Sequence, residues 1–151
     1  MPAAWRLIKT KYLSTAWDGA GARKAGGRWN APGVAVVYTS GSLSLALVEV
    51  LVHLPADILP AYSAAPVEFD DSLLTILVPA HLPKGWKDSP PPPATQAIGA
   101  AWVAAADSAV LRVPSVVVPG EFNFLLNPAH PDFARIRIGA PTAFPFDPRL
   151  L

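Results

Sequence analysis

The stretch at residues 26–54 reads GGRWNAPGVAVVYTSGSLSLALVEVLVHL, and the fold turns on how it is parsed. The turn signal Ala31-Pro32-Gly33 leads into VAVVYT, a β-branched run closed by an aromatic, which predicts a strand over 34–39. After Gly41 the period changes. Leu43, Ala46, Leu47, Val50, Leu51 and Leu54 recur at helical spacing, so a helix is expected to follow Ser42 as its N-cap and turn these side chains toward a core. Pro55 is expected to stop it.

Glu49 lies inside that helix between Val48 and Val50. A carboxylate at the edge of an apolar face is costly to desolvate unless a cation or a ligand hydroxyl meets it. The nearest strong cation in sequence is Arg28, whose planar fork suits carboxylate or phosphate. On the helix alone, Glu49 reads first as a solvent-facing residue, with Arg28 as a loop cation. The conjunction of Arg28, Tyr38 and Glu49 on three consecutive elements points instead to a site.

Working outward, WRLIK at 5–9 predicts a first strand, and 12–27 a loop of small residues that reads on composition as a flexible surface turn, although its glycines would also let backbone approach a ligand. That loop lacks the Lys-Ser/Thr of a phosphate-binding P-loop. On the other side, 58–66 reads as a connector to a strand at 67–69. A second strand is expected at 73–78, after an Asp70-Asp71 turn. Residues 79–93, with PPPP, predict an exposed stiff loop carrying Trp86. An alanine-rich helix at 95–106, capped by Thr95 and anchored by Trp102, comes next. Strands are expected at 109–113, 115–118 and 122–126, then a turn at Asn127-Pro128 and an edge strand where Ile136 and Ile138 alternate with arginines. The tail beyond Pro141 reads as irregular. Together these elements give a compact α+β domain over 1–151, mainly antiparallel sheet with a few packed helices.

Composition narrows the function classes. The 151 residues are 52% hydrophobic and 15% charged, which suits a globular domain, and the 18 prolines favour short strands and turns over a helical bundle. A net charge of +1 leaves no electrostatic footprint for nucleic acid or an acidic membrane. No uninterrupted apolar run reaches a membrane span, and Arg6, Lys9 and Lys11 break any signal-peptide core. Zero cysteines exclude disulfides, thiolate metal sites and a cysteine nucleophile, and suit a cytoplasmic protein. His53, His81 and His130 form no metal-binding spacing, so no metal is expected. His53 follows Glu49 at i+4 and is within reach of it, although a helix C-terminus accounts for a histidine by itself. Ser115 lacks a GxSxG elbow and reads as a ligand-bonding hydroxyl rather than a hydrolase nucleophile.

Three blocks carry a family resemblance: AWRLIK near the start, DGAGARKAGGRWNAPGVAVVYTSGSLSLALVEVLVHL, and VLRVPSVVVPGEFNFLLNPAHPDFARI toward the end. Nearly the whole chain, in this order, resembles the RES-domain toxins of bacterial toxin–antitoxin pairs. The Arg, Glu and Ser that name the family match Arg28, Glu49 and Ser115. The resemblance implies an ADP-ribosyltransferase-like fold, NAD as a consumed substrate rather than a cofactor, and a Xre-like antitoxin partner in a hetero-oligomer. It also implies cleavage of the nicotinamide–ribose bond. In that chemistry Glu49 would stabilise the oxocarbenium-like ribose, Tyr38 would stack on nicotinamide and Arg28 would grip the pyrophosphate. Arg6 and Ser115 would add substrate contacts.

The acceptor stays open among water, phosphate and a protein side chain. Leu47 stands where arginine-directed transferases carry the first acid of an ExE pair, so consumption of free NAD ranks first and mono-ADP-ribosylation of a protein second. A nucleotide-binding module without turnover, and an interaction protein using the Trp86 loop and apolar surface, are the readings from other classes.

Overall fold

The computed structural model describes residues 2–54 and 60–150. Its described strands form one 8-stranded sheet in the order β4-β5-β6-β2-β1-β3-β7, with β8 also on β3. In chain order these are β1 (Ala3–Lys9), β2 (Val37–Ser40), β3 (Tyr62–Glu68), β4 (Leu74–Ile76), β5 (Val110–Pro114), β6 (Phe122–Leu126), β7 (Arg137–Ile138) and β8 (Thr142–Phe144). The helices are α1 (Ala20–Ala25), α2 (Leu43–Leu51) and α3 (Pro93–Ala105). Pairing is antiparallel throughout these strands except between β4 and β5. The expected α+β architecture is what the chain adopts.

Alternation along the central strands splits the core. Leu111, Val113 and Leu125 point to one face, where Trp29, Val36 and Trp102 of α3 cover them. Val110 and Leu126, one residue out of phase, pack on the other face with Phe69, Leu73 and Ile136. A third cluster lies under α2, where Ala46 meets Leu7, Tyr62 and Ala64, with Leu43, Leu47, Val50 and Leu54 packed against it. The helical spacing thus placed Leu43, Ala46, Leu47, Val50 and Leu54 on a packed face, but Leu51 lies outside that cluster and Leu45, the most buried residue of α2, was not expected there. Ser42 caps the helix by accepting from the Leu45 amide at 3.0 Å. Pro55 and the start of the connector expected from 58 lie outside the described residues.

β1 and β2 pair at a single register position, Trp5 opposite Ser40, whereas β1 follows β3 along its whole length from Ala3 opposite Glu68 to Lys9 opposite Tyr62. The sheet is thus split between its two central strands. The guanidinium of Arg6 bridges the split, its Nη1 donating to the carbonyl of Tyr38 at 2.8 Å.

Several boundaries depart from the sequence reading, each for a physical reason. β2 begins at Val37 rather than 34, because the preceding residues are drawn into a turn by Asn30, whose Nδ2 donates to the carbonyls of Ala31 and Val34. The loop of small residues contains α1, opened by Gly19 at φ 72 and closed by Gly26 at φ 76; with no buried residue it has no apolar face to betray it. β3 starts at Tyr62 instead of 67, because pairing with β1 recruits an alanine-rich segment of weak strand propensity.

α3 starts with Pro93 in its first turn, where a missing N–H costs nothing. Thr95 sits inside that turn, donating to the Pro92 carbonyl, and does not cap it. Residues 115–118 form a turn, not a strand. The tail beyond Pro141 supplies β8 against β3. Trp86, expected on an exposed loop, is half-buried against Trp29 with ring centroids 6.3 Å apart.

α3 lies on the chain with no clearance at Gly99. A Cβ there would collide with the carbonyl oxygen of Trp29. Gly99→Ala is therefore expected to destabilise the fold by about 3 kcal/mol or more, the upper range for overpacking, measured by denaturant unfolding.

Candidate active site

Where β1 and β2 part, a cleft of about 1020 Å³ opens. Its walls come from β1 (Arg6, Lys9), the 26–29 turn with Arg28, β2 (Tyr38), α2 (Glu49) and the 87–91 segment with Lys87. Four residues singled out by sequence, Arg6, Arg28, Tyr38 and Glu49, thus share one cavity. Ser115 stands just behind it, while its neighbours Pro114, Val116 and Val117 reach the wall.

Glu49 and Arg28 share the cleft but form no ion pair. Glu49 is instead held by Ser115, whose hydroxyl donates to Oε1 at 2.9 Å. The same Oγ accepts from the amides of Val117 and Val118 at 3.2 and 3.1 Å. With its lone pairs committed to two N–H donors, the hydroxyl proton has one direction left, toward Glu49. The amides that Ser115 gathers also explain why 115–118 turns rather than extends. Oε2 of Glu49 accepts no hydrogen bond from the described residues and remains for a ligand.

Arg28 is anchored from across the chain. Its Nη1 donates to the carbonyls of Trp86 and Asp88 at 2.7 and 2.9 Å. This fixes one edge of the fork and ties the 86–88 segment to the cleft. Nε and Nη2 are left for an anion.

Tyr38 presents its ring to the cleft while its hydroxyl turns inward, donating to Asn30 Oδ1 and accepting from the Trp29 amide at 3.2 Å. Burial pushes its pKa up to about 12, against the opposing pull of the Trp29 amide and of Arg28. The phenol therefore stays neutral and offers a ligand its aromatic surface, not its oxygen.

Arg6 lies deepest. Burial lowers its pKa to about 10, with nearby Asp18 acting in the opposite direction, so it stays cationic at neutral pH. Its Nε is buried without a hydrogen-bond partner, and its guanidinium sits 5.9 Å from the centroid of the Trp17 ring. His53 lines the cleft without bonding Glu49. Glu49 is the one carboxylate among the residues lining this cleft, against the cations of Arg6, Lys9, Arg28 and Lys87. Such a wall suits an anionic ligand with one electron-poor centre.

Sequence reasoning missed Asn30, which ends the GGRWN motif, and Gln96, which donates to the Gly27 carbonyl at 3.1 Å. It also missed the carbonyls that hold Arg28. An asparagine in a glycine-rich turn is a signal that could have been read. Carbonyl groups sixty residues away leave none.

A family model described as the RES domain matches residues 3–147. A protein named Toxin Res from Yersinia enterocolitica is 40% identical over 148 residues, covering 97% of each chain. A protein named Prs ADP-ribosylating toxin from a Sphingobium species is 39% identical over 153 residues, covering 97% of this chain and 95% of its own. A chain from the crystal structure of the M. tuberculosis MbcT–MbcA toxin–antitoxin complex superposes with a TM-score of 0.77 at 20% identity, covering 94% of this chain and 83% of that one. That likeness concerns the fold alone. With the family model matching almost end to end, this chain belongs to the RES domain family.

Proposed function

We propose that this chain is the toxin of a bacterial toxin–antitoxin pair and that it consumes NAD by breaking the nicotinamide–ribose bond. The observation that carries the reading is the held carboxylate: Glu49, oriented by Ser115 at 2.9 Å, is the one carboxylate in a cleft whose lining also brings four cations and the Tyr38 ring. The fold, the family and the names of its relatives supply the context.

In this mechanism NAD is a substrate and no cofactor takes part. Arg28 takes the pyrophosphate on the edge of its fork that Trp86 and Asp88 leave open. Arg6 adds a buried positive charge and a donor in search of an acceptor. Tyr38 offers its ring to the nicotinamide. As the C1′–N bond breaks, its electron pair leaves with the ring and neutralises the pyridinium, so no general acid is required. Positive charge develops on the ribose, and Glu49 stabilises it through the oxygen that Ser115 does not occupy. Ser115 then serves the reaction through Glu49 rather than through a substrate contact. Water as acceptor gives ADP-ribose, and phosphate gives its phosphorylated form.

One observation favours a second reading, transfer of ADP-ribose to a protein: the Sphingobium relative is named an ADP-ribosylating toxin. The partner is a Xre-like antitoxin that covers the cleft within a hetero-oligomer. The reading as an interaction protein keeps its apolar surface but loses the exposed Trp86, which is half-buried against Trp29.

The deciding experiment follows NAD with purified, antitoxin-free protein, with and without phosphate, resolving products by mass. Free ADP-ribose or its phosphate supports consumption of free NAD, and loss only with cell lysate supports a protein acceptor. Intact NAD in every case sinks the enzyme reading. Glu49→Ala is expected to fold and to lose about 10²–10³-fold in kcat, the scale for removing one electrostatic stabiliser of a transition state. Ser115→Ala should lower kcat with little change in KM and cost about 1–2 kcal/mol of stability, because two amides lose their acceptor.

A further inference from the structure

We propose that Asn30 is the positioning residue of the binding half of the cleft: its buried carboxamide fixes Arg28 and Tyr38 relative to one another. The inference rests on the dinucleotide reading above and extends it to a residue that does not touch the cavity.

Asn30 is completely buried. Its Nδ2 faces three carbonyls, those of Ala22 at 2.9 Å, Val34 at 3.0 Å and Ala31 at 3.3 Å. Three acceptors around one end of the amide settle its orientation, because a carboxamide oxygen there would meet only lone pairs. Oδ1 must then accept, and the Tyr38 hydroxyl donates to it. The phenol oxygen in turn accepts from the Trp29 amide, while the Asn30 carbonyl accepts from the Gly27 amide at 2.9 Å. Every bond in this chain has a forced direction. An aspartate of the same shape cannot donate to the carbonyls.

The knot joins α1, the 27–30 turn that carries Arg28, the 31–34 segment and β2 with Tyr38. Its closeness depends on Gly27, since a Cβ there would lie 2.6 Å from the Tyr38 hydroxyl and 3.0 Å from Asn30 Oδ1. From outside, α3 clamps the same turn through Gln96 and Gly99. Glu49 belongs to a separate support, α2 and the Ser115 turn. The site therefore has two independently held halves, one that grips the dinucleotide and one that stabilises charge. Loosening Asn30 should harm the first and spare the second.

The test uses Asn30→Ala and Asn30→Asp in the purified full chain, reading NAD kinetics and ADP-ribose affinity by calorimetry. KM for NAD and Kd for ADP-ribose are expected to rise about tenfold while kcat at saturation stays within about threefold, the pattern of lost placement of a binding group. A merely structural role would lower melting temperature and kcat and leave both constants unchanged, which would overturn the proposal. Should the Asn30 variants fail to fold, Tyr38→Phe removes both bonds made by the phenol oxygen and keeps the ring, and wild-type affinity in that variant would overturn it equally.

An ultraviolet titration without substrate checks the knot itself. The Tyr38 phenol, held at about 12 by burial, should ionise closer to its ordinary 10.0 once Asn30→Ala admits water. Because its pKa is raised by folding, its contribution to wild-type stability is intact below about pH 10 and lost as pH rises toward 12. If wild-type protein consumes no NAD, the functional reading fails by itself, and ADP-ribose affinity still decides the role of Asn30. Absence of ADP-ribose binding to the wild type would overturn both.

Discussion

The hydrogen bond from Arg6 to the carbonyl of Tyr38 spans a gap that an ordinary sheet would close with its own backbone. β1 and β2 meet at one register position and separate, leaving strand edges that must find other partners. A guanidinium is long enough to cross and rich enough in donors to satisfy a carbonyl while keeping charge to spare. The split is what makes room for a ligand, and the cation that spans it sets the sign of the ligand that fits. Burial makes that cation expensive, and its unpartnered Nε adds to the expense. An anion in the cleft would relieve both costs, so affinity and stability are linked through one side chain.

The two halves of the cleft solve different problems. Arg28 and Tyr38 are held by backbone carbonyls, an amide and a buried carboxamide, none of which changes charge near neutral pH. Glu49 is held by a hydroxyl whose proton has nowhere else to point. Neutral scaffolding around charged groups preserves the charges for the ligand, since an internal ion pair between Arg28 and Glu49 would have spent both.

Local signals were legible in the sequence and tertiary ones were not. Ser42, the helical spacing beyond it and the strand at 122–126 could be placed because cap, period and turn residues lie within a few positions of each other. β3 could not be started at Tyr62, since what makes Ala64 and Ala65 strand residues is β1, nearly sixty positions earlier. Residues 115–118 read as a strand by β-propensity, yet one serine oxygen bonding two amides overrides it. Arg28, Tyr38 and Glu49 were singled out by their chemistry, whereas Lys9 and Lys87, which line the same cleft, were not. The supports were hidden, because carbonyls and a shape-filling asparagine carry no such mark.

The order of strands in the sheet also sets when the cleft can exist. β2, in the middle of the sheet, takes its long antiparallel partner from β6, and Thr39 bonds the carbonyl of Phe124 across 85 positions. Glu49 waits for Ser115 over 66 positions, and Arg28 for Asp88 over 60. A chain still on the ribosome carries every ligand-facing side chain of α2 and the 26–29 turn long before it has the strand that sets them in place. The cleft is thus assembled only once β6 has been made, and a truncated product that stops short of β6 carries the chemistry without the geometry.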